Sequence, residues 1–267
     1  DLVKTLQQLP GVAVGTEGMT GLYVRGGGAD ENLYLLDGNP VYHVNHLLGF
    51  FSAFNPDAIK NTRFYKGSFP AEYGGRLSSV VDVRMNDGNR QEYHGNISVG
   101  LLSARANLEG PIVKDRSSFN VSVRRTWLDL ITGTALAVVN KNSSIKDVFG
   151  YHFFDINAKL NHSFSDRSRA YLSFYMGQDA FRQGSKEKNG DSEDMFLWRW
   201  GNLIGSAGWN YVFGQKLFGN LMVGYSRFRS HIRQEVGGYE IYAGKEGKES
   251  FKRESYYKSE MEDLSVR

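Results

Sequence analysis

His43 and His46 are three positions apart, a spacing that brings two imidazoles to one side of a helical turn. Such a pair can ligate a metal ion, but no glutamate accompanies it in the pattern of a zinc protease, so no metal is assigned. The pair directly follows Tyr42 in a segment predicted to be a loop. A metal site, contact with a ligand through Tyr42, His43 and His46, and ordinary loop structure are the three open interpretations.

Three consecutive glycines at 26–28 form the other motif with possible chemistry, because glycine-rich loops can hold phosphate groups. Neither a following Gly-Lys-Ser/Thr nor the GxGxxG spacing is present, so a turn is the favoured interpretation. No Ser/His/Asp set and no pair of carboxylates can be recognised. The sequence therefore predicts neither an enzyme nor a bound cofactor.

Composition excludes further classes of protein. The 267 residues contain no cysteine, which rules out disulfides and thiolate metal sites. The net charge is +3, and no basic run stands out, so nucleic-acid binding is not indicated. No apolar run approaches the ~18 residues of a membrane helix. A search for long apolar runs does not detect the strands of a membrane barrel, because these strands alternate lipid-facing and lumen-facing residues.

Residues 1–88 are predicted to form a small mixed α/β domain. Leucines at helical spacing predict a helix over 1–9 that ends at Pro10-Gly11. Asn55 before Pro56 predicts a second helix start, and Asp37-Gly38 predicts a turn. Asp82 is expected to make a polar contact. Short strands are predicted at 21–25, 33–37, 62–66 and 79–85.

Residues 89–267 instead alternate polar and apolar side chains over ten or more positions, which is typical of membrane strands. We count seven strands, with an eighth beginning near Phe251. Short connections at 114–117, 165–168 and 214–215 alternate with long ones at 129–150, 180–195 and 230–249. That layout predicts periplasmic turns at one end and extracellular loops at the other. The residues predicted to face lipid are Phe119, Val121, Leu160, Leu172, Phe174 and Leu221. Those predicted to face the lumen are Asn120, Asn157, Lys159 and Ser173.

Several motifs carry a family resemblance. They are Leu-Pro-Gly-Val in 9–12, Tyr-Val-Arg-Gly-Gly in 23–27, Leu-Tyr-Leu-Leu-Asp-Gly-Asn-Pro-Val-Tyr in 33–42, Asp-Ala-Ile in 57–59, Tyr-Lys-Gly in 65–67 and Tyr-Gly-Gly-Arg-Leu-Ser-Ser-Val-Val-Asp-Val in 73–83. In this order they resemble the plug domain of TonB-dependent outer-membrane transporters, with features of the Bacteroidetes-type branch. The resemblance implies a plug at 1–88 with a truncated N-terminus, and barrel strands at 89–267.

Geometry and the resemblance both indicate that the barrel is incomplete. An eight-stranded barrel is only about 16 Å across, whereas a plug of this length measures roughly 30 Å. A 22-stranded barrel, at about 45 Å, would hold it. The strands after residue 88 are therefore expected to be a fragment of a 22-stranded barrel.

The resemblance also implies a function. The protein would lie in the Gram-negative outer membrane and import a large, scarce solute such as a siderophore, cobalamin, a glycan or a peptide. TonB would pull on a segment N-terminal to residue 1, and a surface lipoprotein is a further possible partner. Two alternatives stay open: a receptor or signal transducer that does not import, and a soluble β-rich binding protein. Arg25 and Arg76, beside glycines at plug landmarks, are expected to contact the barrel wall, or to be exposed turn arginines.

Overall fold

The computed structural model describes residues 1–15, 20–188, 192–241 and 248–267. We call residues 1–88 the N-terminal region. Its elements are α1 (Leu2–Leu6), β1 (Val12–Ala13), β2 (Tyr23–Val24), β3 (Asn32–Leu36), β4 (Asn39–Pro40), β5 (Asn45–His46), β6 (Phe51–Ser52), β7 (Ile59–Tyr65) and β8 (Ser79–Met85). Single 3-10 turns occur at Ala29–Glu31, Leu47–Gly49 and Pro56–Ala58.

Helix α1 begins where the side chain of Asp1 accepts hydrogen bonds from the backbone amides of Val3 (3.0 Å) and Lys4 (3.4 Å). It ends at Leu6, three residues earlier than the sequence predicts. Pro10 accounts for part of the difference, because it disfavours helical backbone in the residue before it. The predicted helix start at Asn55 is confirmed, but it produces only a 3-10 turn.

A four-stranded mixed sheet in the order β4-β3-β8-β7 organises the N-terminal region. Strands β3 and β8 pair in parallel, and β7 joins β8 in antiparallel. Asp37 and Gly38 both have positive φ, 46° and 87°, which gives the tight two-residue turn between β3 and β4. The core is formed by buried apolar side chains on β2, β3 and β8 and by Val3 of α1.

The rest of the chain forms one eight-stranded antiparallel sheet, the large sheet, in which every strand pairs with its neighbours in sequence. Helix α2 (Leu128–Val139) lies between its third and fourth strands. The strands are β9 (His94–Val99), β10 (Ser103–Val113), β11 (Ser117–Thr126), β12 (Ile145–Ser165), β13 (Ser168–Glu187), β14 (Glu193–Val212), β15 (Phe218–Ile241) and β16 (Lys248–Val266).

The two faces of the large sheet separate as the alternation predicts. Asn120, Asn157, Lys159 and Ser173 are buried on the face that the N-terminal region covers, which we call the inner face. Val121, Leu160, Leu172, Phe174 and Leu221 are exposed on the opposite, outer face, and Phe119 there is half-buried. A register error of one residue would have reversed every one of these side chains.

All three of the predicted long connections contain mostly regular structure in their described parts. The segment 129–150 contains most of α2 and the start of β12. In the segment 180–195, β13 continues to Glu187 and β14 begins at Glu193. In the segment 230–249, β15 continues to Ile241. Positions 189–191 and 242–247 of the predicted connections lie outside the described residues. Among the described residues, no helix has the length and apolar character needed to cross a membrane.

Strand β8 ends at Met85 and β9 begins at His94. The predicted domain boundary at residue 88 falls between them, in a segment where Gly88 has a φ of 80° and packs closely against the large sheet. A Cβ added to Gly88 would lie 2.2 Å from the carbonyl oxygen of Phe119. The division into two domains at this point stays a prediction.

Candidate functional site at the inner face of the large sheet

The N-terminal region contacts the inner face mainly through polar side chains. Two side chains of the large sheet, Tyr175 and Ile204, join the apolar core of the N-terminal region. Around them, strands β10 to β16 present hydroxyls, amides and charged groups to β4, β5 and β6 and to the segments after β3, β4, β6 and β8. Three groups of contacts carry the interface.

The first group centres on His46, which is 2% exposed. Its Nδ1 lies 2.6 Å from Oδ2 of Asp179, and its Nε2 lies 2.8 Å from Oδ1 of Asp155. The Nε2 contact is an ion pair without hydrogen-bond geometry, whereas Nδ1 is hydrogen-bonded. The imidazole also stacks on Phe153, with 4.2 Å between the ring centroids. We call His46, Asp155 and Asp179 the histidine clamp.

Arg124, on β11, extends this clamp to a third strand of the large sheet. Its Nε donates to Asp155 Oδ2 at 2.7 Å, and a terminal nitrogen donates to the carbonyl oxygen of Ser52 at 2.8 Å. Asp155 therefore faces two cationic groups, one from each side of the interface. Asp179 also accepts hydrogen bonds from the hydroxyl of Tyr151 and, at 3.4 Å, from the amide of Leu47.

The electrostatics of the clamp favour a protonated His46. Burial alone would lower the pKa of His46, but the adjacent Asp155 and Asp179 outweigh it and raise the pKa to about 9. His46 is thus an imidazolium at neutral pH, held between two carboxylates on β12 and β13. Removing either side of such a buried pair leaves an uncompensated charge.

Lys159 forms the second group of contacts. Its ammonium nitrogen lies 3.2 Å from Asp37 Oδ2, 3.0 Å from Asp87 Oδ1 and 3.1 Å from the carbonyl oxygen of Met85. Burial tends to raise the pKa of Asp87, but Lys159 and Lys60 outweigh it and lower that pKa. The turn residue Asp37 thus does more than close a hairpin, because it joins β3 to β12 through an ion pair.

The third group lies along β4 and the loop after it. The side-chain amide of Asn39 donates to the hydroxyl of Ser206, and Ser226 Oγ donates to the carbonyl oxygen of Pro40 at 2.5 Å. Asn202 Nδ2 donates to the carbonyl oxygen of His43 at 2.6 Å. Gly224 allows this close approach, because an added Cβ there would lie 1.6 Å from the side-chain oxygen of Asn39 and would displace the Asn39 side chain.

Aromatic side chains line the inner face beside His43. The His43 ring lies 6.1 Å from Trp200 and 5.7 Å from Phe228, and Trp200 lies 4.1 Å from Trp198. Trp200 Nε1 is buried and has no hydrogen-bond partner in the described part of the chain. Burial lowers the pKa of His43 despite the opposing charge of Asp179, so its imidazole is neutral. We call His43, Trp198, Trp200 and Phe228 the aromatic site.

The structure separates the three residues predicted to contact a ligand. His46 is enclosed in the histidine clamp, whereas His43 is half-buried in the aromatic site. Tyr42 is also half-buried, and its pKa is raised by burial and by Asp263, against the charge of Arg76. A ligand contact for these residues stays a prediction. Within the described ranges, no group of three or more His, Asp and Glu side chains is arranged to hold a metal ion.

The two predicted wall-contacting arginines are exposed. A terminal nitrogen of Arg76 donates to the carbonyl oxygen of Gly75 at 2.9 Å. Arg25 has a positive φ of 50°, and its guanidinium lies near Gly67. Neither has an ion pair among the described residues, so their contact with a barrel wall stays a prediction. Asp82, by contrast, is buried and accepts from Tyr73 (3.1 Å) and Arg84 (3.2 Å), so its predicted polar contact is confirmed.

Arg124, Asp155 and Asp179 were not singled out from the sequence, although a signal for them exists. Each is a charged residue at an inner-face position of an alternating strand, beside apolar residues that face outward. Charged groups on a covered face must be paired. Chemically, the interface can hold the N-terminal region in place through bonds that water or a ligand can replace.

Comparison with known proteins identifies the N-terminal region. Residues 1–81 match the protein-family model described as the TonB-dependent Receptor Plug Domain. A search of curated proteins finds no match. The siderophore receptor PirA from Acinetobacter baumannii is similar over 90% of this chain and 51% of its own length, with 14% identity and a TM-score of 0.47. The outer membrane transporter YddB from Escherichia coli is similar over 99% of this chain and 52% of its own, with 11% identity and a TM-score of 0.46. The chain spans about half the length of these structures.

Proposed function

Residues 1–81 match the plug domain of TonB-dependent receptors, and we propose that the chain is part of such a receptor in the Gram-negative outer membrane and that it imports a large solute by an energy-coupled mechanism. The solute binds on the extracellular side of the plug. A periplasmic energy-coupling protein, TonB, then pulls on a segment that precedes residue 1 and rearranges the plug. No covalent step is needed.

The observation that carries this proposal is the polar character of the plug contacts. A plug that only sealed a pore could be held by an apolar interface, which costs free energy to expose to water. Here the contacts of His46, Lys159 and Asn39 are hydrogen bonds and ion pairs. A hydrogen bond exchanged for bonds to water loses little net free energy. Such an interface can separate under a mechanical load and form again.

The aromatic site is the candidate solute contact. Rings of Trp and Phe supply large, rigid contact area, and the half-buried side chains of His43, Trp198 and Phe228 are the members of the site that a solute can reach. Siderophores, cobalamin, glycans and peptides all combine apolar surface with acceptors. The solute class is therefore left open within this set.

Uptake measurements on the full-length receptor test the proposal. The receptor is expressed in cells that lack their own receptors, with TonB present or deleted. Uptake of labelled ferric siderophores, cobalamin, oligosaccharides or peptides is then measured in these cells and in cells without the receptor. We expect uptake of one class that requires both the receptor and TonB. Surface binding without uptake would indicate a receptor that signals instead. Neither binding nor TonB-dependent uptake of any class would contradict the proposal.

Cysteine pairs can then show whether the plug must move, because the described sequence has no cysteine of its own. Asn55 and Ser122, whose side chains are 2.7 Å apart, join the plug to the large sheet. Asn55→Cys with Ser122→Cys, bridged by a disulfide or a short crosslinker, should block uptake until reduced. The matched control is Ser122→Cys with Asn157→Cys, register partners within the sheet. Full uptake with the plug pair completely bridged would show that this part of the plug does not move.

A further inference from the structure

The outer face of β14 and β15 changes from apolar to basic at Leu203. On one side of this residue, toward the short connections, the outer face presents exposed apolar side chains such as Leu172, Leu221 and Val223. Arg227 is the register partner of Leu203, and the next outer-face positions of the two strands continue the basic run. The outer-face pairs beyond Leu203 and Arg227 are Gly201 with Arg229 and Arg199 with His231, so the outer basic patch consists of Arg199, Arg227, Arg229 and His231 around a glycine.

These side chains surround a depression of ≈ 320 Å³. Gly201 pairs with Arg229 and lies opposite Gln178 on β13, so bare backbone forms the floor. A larger residue cannot replace this glycine without a shift, because a Cβ would lie 2.2 Å from the carbonyl oxygen of Gly177. The volume lies at the lower end of the range for small-molecule sites. A compact headgroup can therefore sit against the backbone between arginines.

The patch carries excess positive charge. Arg229 is paired with Glu260, which also contacts Lys258 at 3.3 Å. Glu262, the register partner of Arg227, accepts a hydrogen bond from Tyr225. Neither Arg199 nor Arg227 has an ion pair within the described part of the chain. Three arginines and one lysine thus face two glutamates, which leaves guanidinium groups free to bind an anion.

The distance of the patch from the short-connection end of β15 matches the thickness of the apolar layer of a bilayer. From Phe218, the first residue of β15, to Arg227 the strand rises about 30 Å, at ~3.3 Å per residue. At a tilt of ~40° this spans roughly 23 Å of membrane, close to the ~25 Å apolar band of outer-membrane barrels. The short connections are periplasmic in this layout, so the patch lies at the extracellular headgroup layer. Arginine is tolerated at that depth, where its cost is far smaller than at the bilayer midplane, and its guanidinium can reach the headgroup oxygens.

We propose that the outer basic patch binds the phosphate group of an outer-leaflet lipid headgroup. Guanidinium groups match phosphate oxygens with two parallel hydrogen bonds, a geometry that an ammonium group lacks. Arg199 and Arg227 supply these bonds, and the open backbone at Gly201 allows the headgroup to approach. This site lies on the face opposite the plug and does not depend on whether the protein imports a solute.

Lipid retention by the full-length receptor tests the proposal. The receptor is placed in phosphatidylcholine nanodiscs with or without phosphatidic acid, and bound lipid is identified by native mass spectrometry. We expect phosphatidic acid to be retained selectively. In the double variant Arg199→Gln/Arg227→Gln, its apparent affinity should fall at least about tenfold, since each charge-assisted bond accounts for roughly that factor.

Two further variants keep the result interpretable. Arg233→Gln changes an arginine of the same outer face that lies about 20 Å along β15 beyond Arg227 and is already paired with Glu254, so it should retain the lipid normally. Arg199→Lys/Arg227→Lys keeps the charge and should give intermediate retention. Equal retention by the wild type and the double glutamine variant would overturn the proposal. Displacement of the lipid by inorganic phosphate alone would show a free-anion site instead.

Discussion

Nδ1 of His46 lies 2.6 Å from Oδ2 of Asp179, although 133 positions separate the two residues in the sequence. The contact joins the plug domain to β13 of the large sheet, and the second ring nitrogen faces Asp155 on β12. A single side chain of the plug therefore connects to two adjacent strands. If this imidazolium is lost, both carboxylates lose a cationic partner at once.

We predict that His46→Gln loosens the plug. Breaking a buried charge pair typically costs roughly 3–5 kcal/mol, because the carboxylates remain buried. The measurement is the urea concentration at which the plug of the purified receptor becomes accessible to protease, together with the sensitivity of cells to large antibiotics. His43→Gln, in the same loop but without an ion pair, is the control and should behave nearly as the wild type. An unchanged urea midpoint in His46→Gln would contradict the assigned role of the clamp.

The clamp also predicts a pH dependence. The pKa of His46 is about 9 in the assembled plug, against 6.5 when released. Its stabilisation is therefore fully present below pH ~6.5 and is lost as the pH rises through ~9, by about 1.4 kcal/mol per pH unit in that window. Plug accessibility by hydrogen exchange should increase between pH 6.5 and 9 in the wild type. In His46→Gln this part of the increase should disappear, and a wild-type profile in the variant would assign the effect to other groups.

Lys159 gives a test at a second location. Lys159→Met keeps an apolar chain over the ring of Tyr171, 4.9 Å from the ammonium group, but removes the partner of Asp37 and Asp87. The plug contact should weaken by about 1.5–3 kcal/mol, the range for hydrogen bonds to charged groups. Lys60 pairs with the same Asp87 from an exposed position. Lys60→Met should therefore change plug release by less than about 1 kcal/mol, and equal effects of the two changes would contradict this account.

The outer face predicts a depth-dependent cost for charge. Leu172 is exposed on that face, in the apolar part of β13. Leu172→Arg should destabilise the folded receptor in lipid vesicles by about 2–4 kcal/mol. Leu172→Ala, the control, removes apolar area without adding charge. The two variants are compared by reversible unfolding in lipid, and a negligible cost for arginine would mean that Leu172 does not face hydrocarbon.

The alternation of polar and apolar residues along the sequence was enough to assign side chains to the two faces of the large sheet. It placed Lys159 and Asn157 inward and Leu160 and Leu172 outward, because a covered sheet can follow that pattern in only one register. It could not reveal that Lys159 meets Asp37, since that contact joins residues 122 positions apart. The same limit hid Asp155 and Asp179, whose partner His46 looks like a loop histidine in the sequence.

Other differences have local causes. Residues 129–139 were predicted as part of a long connection, but with Leu128 they form α2. The exposed Arg125 just before it, the one break in the apolar face of β11, pairs with Asp129 in the first turn of that helix at 3.0 Å. Strand ends were placed too early because the alternation continues with charged rather than apolar outer residues. Arg229 with Glu260, for example, is a cross-strand pair on the outer face beyond the apolar band.

Strand β15 is longer than a membrane crossing requires. Its 24 residues extend about 79 Å, whereas crossing ~30 Å of hydrocarbon at a ~40° tilt uses only about 39 Å. Roughly half of the strand therefore extends beyond the hydrocarbon layer. The part of β15 beyond the hydrocarbon is held to β16 by cross-strand ion pairs such as Arg233 with Glu254, so it can present a rigid surface outside the membrane.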